Sequence, residues 1–457
     1  MKTKTMKPQN KRPWSRGDKL LVIVPAVLAV LALGGFFWNR AANTLPAPLP
    51  PPRPMPAVNA RDYYIAAINA LVDNGKIDWA YSRWIPGTKT TDPDQHFYSL
   101  AAKDKLVAEN APALSLLHQG FQYPYEEPPV QSFSTPFPHY AKIRHFARFL
   151  SMAAQTQAEQ GNWAGAVSTD LDAVQMGETL PRGGAVIGML VGTACQSIGR
   201  KHVWDAVPHL SAAEAQAATR RLEAIRTAHV SFMDTVQEEK SRTQSSLREM
   251  MAKPDWASQL TGSINGRSTT FSQDPKAWAG NTVNASYVRL IGKSRILSSN
   301  AQWMDESIAQ ARQPYAAHLP PPPLPNDPVN QMLLSSYTKV RLREAIADTQ
   351  NALLVTTLAL QAYRQDHGAY PPSLAALVPG YLKAVPTDPF AFSGPLRYKL
   401  AGTKYALYSV GPDGKDDGGK AISDTTEPAP GPNDISDRRH FIINDSKGDV
   451  VAGVNVI

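Results

Sequence analysis

The residues best placed to do chemistry are the aspartates of a glycine-rich stretch, Asp413-Gly414-Lys415-Asp416-Asp417-Gly418-Gly419. Calcium binds about six to eight oxygen ligands from carboxylates and backbone carbonyls, and glycine lets a short segment bend around such an ion. The EF-hand pattern does not fit, because Lys415 occupies its third position and its last residue, Asp424, is not glutamate. Two interpretations stay open: a calcium loop and an ordinary Asp/Gly surface turn.

Patterns that indicate catalysis are absent from the sequence. The ten histidines include no H-E-x-x-H pair, and no G-x-S-x-G elbow occurs. Gly292-Lys293-Ser294 has Tyr287 where a phosphate loop requires glycine. The single cysteine, Cys195, lies in an apolar run, which predicts a buried structural thiol. The sequence therefore identifies no catalytic residue and favours a protein that is not an enzyme.

Positive charge is concentrated in the first residues of the chain. Residues 1–19 hold seven lysines or arginines and one aspartate, a net +6, which leaves only +2 of the overall +8 for the rest. A basic face for nucleic acid is therefore not indicated, and we expect no nucleic-acid partner.

An uncharged apolar stretch, residues 20–38, follows the basic tail. At about 1.5 Å per residue it is just long enough to cross a bilayer core, and Phe36, Phe37 and Trp38 would anchor its far end. The sequence predicts a single-pass transmembrane helix in a bacterial cytoplasmic membrane, with the tail in the cytoplasm and the bulk of the chain periplasmic. The alternative is a cleaved signal peptide, whose apolar region is usually about 7–15 residues.

The rest of the chain divides by composition into four parts. We expect a Pro-rich linker at 39–56, a helical domain at 57–255, an irregular, Pro-rich crossover at 256–326 and an α+β domain at 327–457. In the helical domain, Gly161-Asn162-Trp163-Ala164 is similar to the tight turn of a tetratricopeptide unit, and Ser211 and Glu214 form a capping box. The predicted fold class is mainly α, with a long helix and a small antiparallel sheet at the C-terminal end.

The C-terminal domain has a recognisable order of turns and strands. A helix begins at Asp327-Pro328 and ends near His367. Tyr370-Pro371, Asp388-Pro389, two strands at 396–400 and 404–410, and the Asp/Gly loop follow, and 440–443 and 450–457 are candidate edge strands. This order resembles the globular domain of the major pseudopilin of type II secretion systems. The resemblance covers roughly the last 100 residues.

The resemblance implies a calcium loop. The family's S-x-G-x-D-G corresponds to residues 409–414, and a later aspartate before isoleucine corresponds to Asp434-Ile435. The candidate calcium ligands are therefore Asp413, Asp416, Asp417 and Asp434. A prepilin leader is not matched, because Val22 stands where the family requires a glutamate.

These observations predict a membrane-anchored bacterial envelope protein with a structural or interaction role. The chain would act as a scaffold or adaptor, and its partner would be another envelope protein. The alternatives are a membrane-tethered extracytoplasmic hydrolase and an extracytoplasmic ligand-binding protein.

Overall fold

The computed structural model describes residues 16–46, 53–73, 77, 99–129, 137–264, 284–315, 319–334, 340–423 and 442–455. The described chain is mostly helical, with a small antiparallel sheet near its C-terminal end, as the sequence predicts. The helices are α1 Arg16–Ala42, α2 Ala60–Ala70, α3 Leu100–Glu109, α4 Ala111–Gly120, α5 Pro138–Glu159, α6 Trp163–Thr179, α7 Ala185–Arg200, α8 Val203–Ala206, α9 Ala212–Thr227, α10 Phe232–Met251, α11 Trp256–Ile264, α12 Lys293–Ala311, α13 Pro328–Leu334 and α14 Val340–His367. The strands are β1 Arg397–Ala401, β2 Lys404–Ser409 and β3 Val450–Val451.

Helix α1 contains the predicted apolar segment. Within it, Ile23–Ala42 is long and apolar enough to cross a membrane by length and composition, with a mean hydropathy of 1.6. Its large side chains are exposed: Leu28, Phe36, Phe37 and Trp38 each leave more than half of their surface uncovered. An apolar helix this exposed fits a membrane anchor or a signal sequence.

Helices α6 and α7 pack backbone against backbone along a line of glycines. A Cβ on Gly177 would lie 2.5 Å from the carbonyl oxygen of Gly192, and a Cβ on Gly192 would overlap the carbonyl oxygen of Gly177. Two turns further along α7, a Cβ on Gly199 would lie 2.5 Å from the carbonyl oxygen of Asp170. The two helices approach this closely because none of the three glycines carries a side chain. We call Gly177, Gly192 and Gly199 the glycine seam.

The stretch 256–326, expected to be irregular, contains helices α11 and α12, which corrects that expectation. Along α12 the buried positions recur at helical intervals through Ile296, Asn300, Trp303 and Ile308. The helical spacing of apolar residues is hard to recognise in the sequence because one core position, Asn300, is polar. Buried Asn300 accepts a hydrogen bond from Gln244 Nε2 at 2.9 Å and donates one to Asn330 Oδ1 at 2.8 Å. A polar residue that is satisfied inside the core breaks the apolar pattern without breaking the helix.

The central part of helix α14 is buried on all sides. Every residue from 349 to 362 is buried, so this part of the helix is covered on every face. Its leucines, such as Leu354 and Leu358, belong to one apolar core with Leu222 of α9 and Leu407 of β2. The core is therefore continuous across the predicted domain boundary at 327. The predicted single helix from Asp327 to His367 is found as α13 and α14, and residues 335–339 between them lie outside the described part.

The sheet has the order β1-β2-β3, with both pairings antiparallel. Ala401 pairs with Lys404, so Gly402 and Thr403 form the predicted hairpin turn, with φ of +61° at Gly402. Of the predicted edge strands, 450–457 is found only as β3. Ile442 and Ile443 are not in a strand, and residues 440, 441, 456 and 457 lie outside the described part.

Candidate functional site

A histidine and three carboxylates meet where α6, α14 and the α9–α10 connection come together. His229 lies in that connection, between the end of α9 at Thr227 and Ser231, which caps α10. Its Nε2 lies 3.4 Å from Glu344 Oε1 and 3.5 Å from Asp348 Oδ2. Glu344 and Asp348 face the same side because they are four residues apart on α14.

The fourth member, Glu178, orients the histidine ring. Glu178 lies in the last turn of α6 and is 2% exposed. Its Oε1 is 2.7 Å from His229 Nδ1. This contact assigns the Nδ1 proton to the bond with Glu178 and turns Nε2 towards Glu344 and Asp348. Glu344 is itself held in place, because its Oε1 accepts the backbone N–H of Phe232 at 3.2 Å.

The charges of the cluster depend on one another. Burial disfavours the imidazolium form, but hydrogen bonds to Glu178 and Glu344 and the charge of Asp348 raise the pKa of His229 to about 11. Burial, and then repulsion from Glu344, raise the pKa of Asp348 to about 7, although His229 opposes that shift. As an imidazolium, His229 would form ion pairs with carboxylates of both α6 and α14 and so link the two helices. As a neutral imidazole, it would offer Nε2 to a cation.

A fully buried arginine lies near the cluster. Arg200, the last residue of α7, is 1% exposed. Its Nη1 donates to Gln196 Oε1 at 3.1 Å and to Asn351 Oδ1 at 2.9 Å. Burial lowers the pKa of Arg200 to about 10, and the charges of Glu178 and Asp348 oppose that shift. Arg200 therefore supplies positive charge close to the carboxylates without a direct ion pair to them.

A cleft runs beside the cluster between α10, α12 and α14. One cavity, of about 400 Å³, has Glu344 and Asp348 in its wall. A second, of about 330 Å³, adjoins it and is lined by Trp303, Leu319 and Pro322 among others. Residues common to both walls are Phe232, Ala311, Tyr315 and Arg341. The carboxylate pair is thus reached from an open, partly aromatic cleft.

The predicted calcium ligands are placed as follows. Asp413 has an 8% exposed side chain, and its Oδ1 accepts the N–H of Lys415 at 3.2 Å. Asp416 accepts the N–H of Gly418 at 2.9 Å and the hydroxyl of Tyr408 at 3.0 Å, and the hydrogen bond from Gly418 lowers the pKa of Asp416. The side chain of Asp417 is exposed. Asp434 lies outside the described residues.

Two aspartates that the sequence analysis did not select hold this loop. Asp449, fully buried beside β3, accepts the N–H groups of Asp417 at 3.3 Å and Gly419 at 2.6 Å. Burial raises the pKa of Asp449, and the charges of Asp416 and Asp417 add to the shift. Asp388 accepts the hydroxyl of Ser409 at 2.6 Å and the N–H of Val410 at 3.0 Å. No sequence pattern indicated Asp449, because it is far from the loop along the chain.

Calcium binding at this loop stays a prediction. Full-length protein should gain about 2.7 kcal/mol in free energy of unfolding at a calcium concentration about 100 times the dissociation constant. Asp413→Ala should remove the response and leave the metal-free protein almost unchanged. The measurement is the melting temperature with calcium and with chelator. Equal values would identify the loop as an ordinary turn.

Among the residues that the structure describes, His229, Glu344 and Asp348 are the one group of three histidine, cysteine or acidic side chains whose ligand atoms converge within 4.8 Å. The sequence signal for it is weak, since Glu344 and Asp348 at i and i+4 also fit a solvated helix face. The predicted buried thiol is confirmed: Cys195 is fully buried, and burial raises its pKa to about 12.

Comparison of the chain with protein-family models, with curated proteins and with solved structures finds no match to any of them. The resemblance of the C-terminal residues to a pseudopilin therefore stays a prediction.

Proposed function

We propose that the chain is a membrane-anchored bacterial envelope protein with a structural or interaction role. Helix α1 anchors it in the cytoplasmic membrane, the basic tail stays in the cytoplasm, and the helical body outside binds another envelope protein. The body carries a pseudopilin-like C-terminal segment, built from α14, the turns and the sheet.

The observation that carries this proposal is the exposed apolar surface of α1. None of the window Ile23–Ala42 is buried, although its last residue, Ala42, lies against Gly292 of the body. Exposing so much apolar surface to water costs roughly 25 cal/mol for each Å². Insertion into a bilayer takes this surface out of water. The cation bias before residue 20 then sets the orientation.

The interaction role rests on the cleft beside α12. Its wall combines aromatic and apolar side chains with Arg341, the composition of a surface that binds extended peptides. One edge already binds such a segment of this chain. Trp303 Nε1 donates to the carbonyl of Pro322 at 2.9 Å, and Gln310 Nε2 donates to that of Pro320 at 3.0 Å.

A second candidate function is a membrane-tethered hydrolase. One observation favours it: Glu344 and Asp348, with His229 beside them, lie in the wall of a 400 Å³ cavity. Carboxylates and a histidine at an open cavity are the groups that acid–base or metal-assisted hydrolysis uses.

One labelling experiment tests anchorage and partner together. In spheroplasts, a membrane-impermeant maleimide carrying a photoreactive group should label the full-length Asp445→Cys variant, because Asp445 is exposed and lines the cleft. Irradiation should then join that variant to one protein of defined mass. Cys195 stays unlabelled because it is buried.

Two control variants sharpen the result. Lys7→Cys, in the basic tail, should be labelled only after lysis. Arg220→Cys, on an exposed position of α9, should be labelled in spheroplasts but give no defined product. Labelling of Lys7→Cys in intact spheroplasts would contradict the orientation. Identical products from positions 445 and 220, or none from either, would contradict the interaction role of the cleft.

A further inference from the structure

We propose that His229, Glu344 and Asp348 bind one divalent transition-metal ion of the zinc class, with Glu178 as the residue that positions His229. The site goes beyond the proposed anchoring and interaction role and does not depend on it.

The distances from His229 Nε2 to the two carboxylates match those around a bound ion and are long for hydrogen bonds. Nε2 lies 3.4 Å from Glu344 Oε1 and 3.5 Å from Asp348 Oδ2. A good N–H···O hydrogen bond spans about 2.7–3.2 Å. Around a tetrahedral ion with bonds of about 2.0–2.1 Å, neighbouring ligand atoms are separated by roughly 3.3–3.4 Å. The two separations from Nε2 are therefore those of ligands that share one ion, and all three ligand atoms lie within 4.8 Å of one another.

The surroundings of His229 match those of a metal-binding histidine. Such a ring usually donates its other N–H to a carboxylate, which fixes the ring and makes the ligand nitrogen more basic. Glu178 accepts that bond at 2.7 Å from Nδ1. Glu178 is also 2% exposed, and its Oε2 has no hydrogen-bond partner among the described residues. Burial of a carboxylate with one oxygen unsatisfied is costly, and an ion bound through His229 would offset part of that cost.

The site is on rigid elements and is open on one side. Two ligands are one turn apart on α14, whose following residues are buried on every side. Both carboxylates line the 400 Å³ cavity, so a fourth position is accessible to water or to an anionic group. Three protein ligands and an open fourth position are the arrangement of reactive zinc sites, whereas structural sites are closed.

The donor set selects the class of ion. Imidazole nitrogen with two carboxylate oxygens suits zinc, and cobalt(II) takes the same ligands. Calcium prefers about six to eight oxygen ligands and magnesium a near-octahedral oxygen shell, so neither fits this set. This site is therefore expected to bind a different metal from the predicted calcium loop.

The test is metal binding by full-length protein purified in detergent and freed of metal with a chelator. Titration with zinc should show one saturable site per chain and a rise in melting temperature. Glu344→Gln and Asp348→Asn should each abolish both effects. Glu178→Gln should keep one site but weaken it by roughly 10–100-fold. The matched control is Glu249→Gln, at an exposed glutamate of α10, which should bind zinc as the unmodified chain does.

Geometry is read from cobalt(II). The intense visible bands of tetrahedral cobalt should develop with the unmodified chain and be lost in Asp348→Asn, and calcium or magnesium at equal concentration should displace neither metal. Circular dichroism of each metal-free variant shows that it is folded. Absence of saturable zinc binding by the folded chain would overturn the proposal. So would binding that Glu344→Gln and Asp348→Asn leave intact.

Discussion

Arg200→Ala should lower the free energy of unfolding of the full-length protein by about 3–5 kcal/mol. The arginine is 1% exposed and donates to both Gln196 and Asn351. Its removal leaves the oxygen of Asn351 without that donor, and it takes a positive charge from the neighbourhood of Glu178 and Asp348. It also opens a cavity of nearly an arginine side chain between α7 and α14. Chemical denaturation followed by circular dichroism measures the loss.

Two further variants separate charge from volume. Arg200→Met keeps most of the volume, so it should lose less than Arg200→Ala and report mainly the charge and the hydrogen bonds. Arg220→Ala removes an exposed arginine and should change stability by no more than about 0.5 kcal/mol. If Arg200→Ala loses under about 1 kcal/mol, the arginine is not the buried counter-charge described above.

Gly192→Ala should destabilise the protein by about 1–3 kcal/mol, opposite in sign to the usual effect of this substitution in a helix. Alanine normally favours a helix over glycine by about 1 kcal/mol. At Gly192 the new Cβ would overlap the backbone carbonyl of Gly177, which belongs to a helix and cannot move as a side chain can. Helices α6 and α7 would have to separate. Thermal unfolding of the full-length protein gives the sign directly.

A control for the added methyl group is Gly380→Ala, in a turn, because a Cβ there meets no atom within 4 Å and the residue has no positive φ. It should be neutral or slightly stabilising. The double variant, with both Gly177→Ala and Gly192→Ala, should lose less stability than the sum of the losses in the two single variants, since one separation of the helices relieves both overlaps. If Gly192→Ala stabilises the protein instead, α6 and α7 can accept a methyl group at the glycine seam without separating.

Local features of the fold could be predicted from the sequence, and the candidate metal site could not. The apolar N-terminal helix, the capping box at Ser211 and the Gly402-Thr403 hairpin each depend on residues close in sequence. His229 and the pair on α14 come from separate segments, and only the fold brings them together. Helix α12 was missed for a different reason, because Asn300 fills a core position with a polar side chain. The full burial of residues 349–362 in α14 could not be predicted either, since a helix segment covered on every side lacks a single apolar stripe.

That enclosure of α14 has a consequence for how this sequence can change through evolution. A surface helix can vary at its water-facing positions, but none of the residues from 349 to 362 faces water. Polar residues of this segment are held by hydrogen bonds. Asn351 accepts one from Arg200, and Gln361 donates one to the carbonyl of Leu210. Accepted mutations there must preserve volume and hydrogen bonding together. Divergent relatives should therefore be recognised by this short block long after their loops and surface helices have lost all similarity.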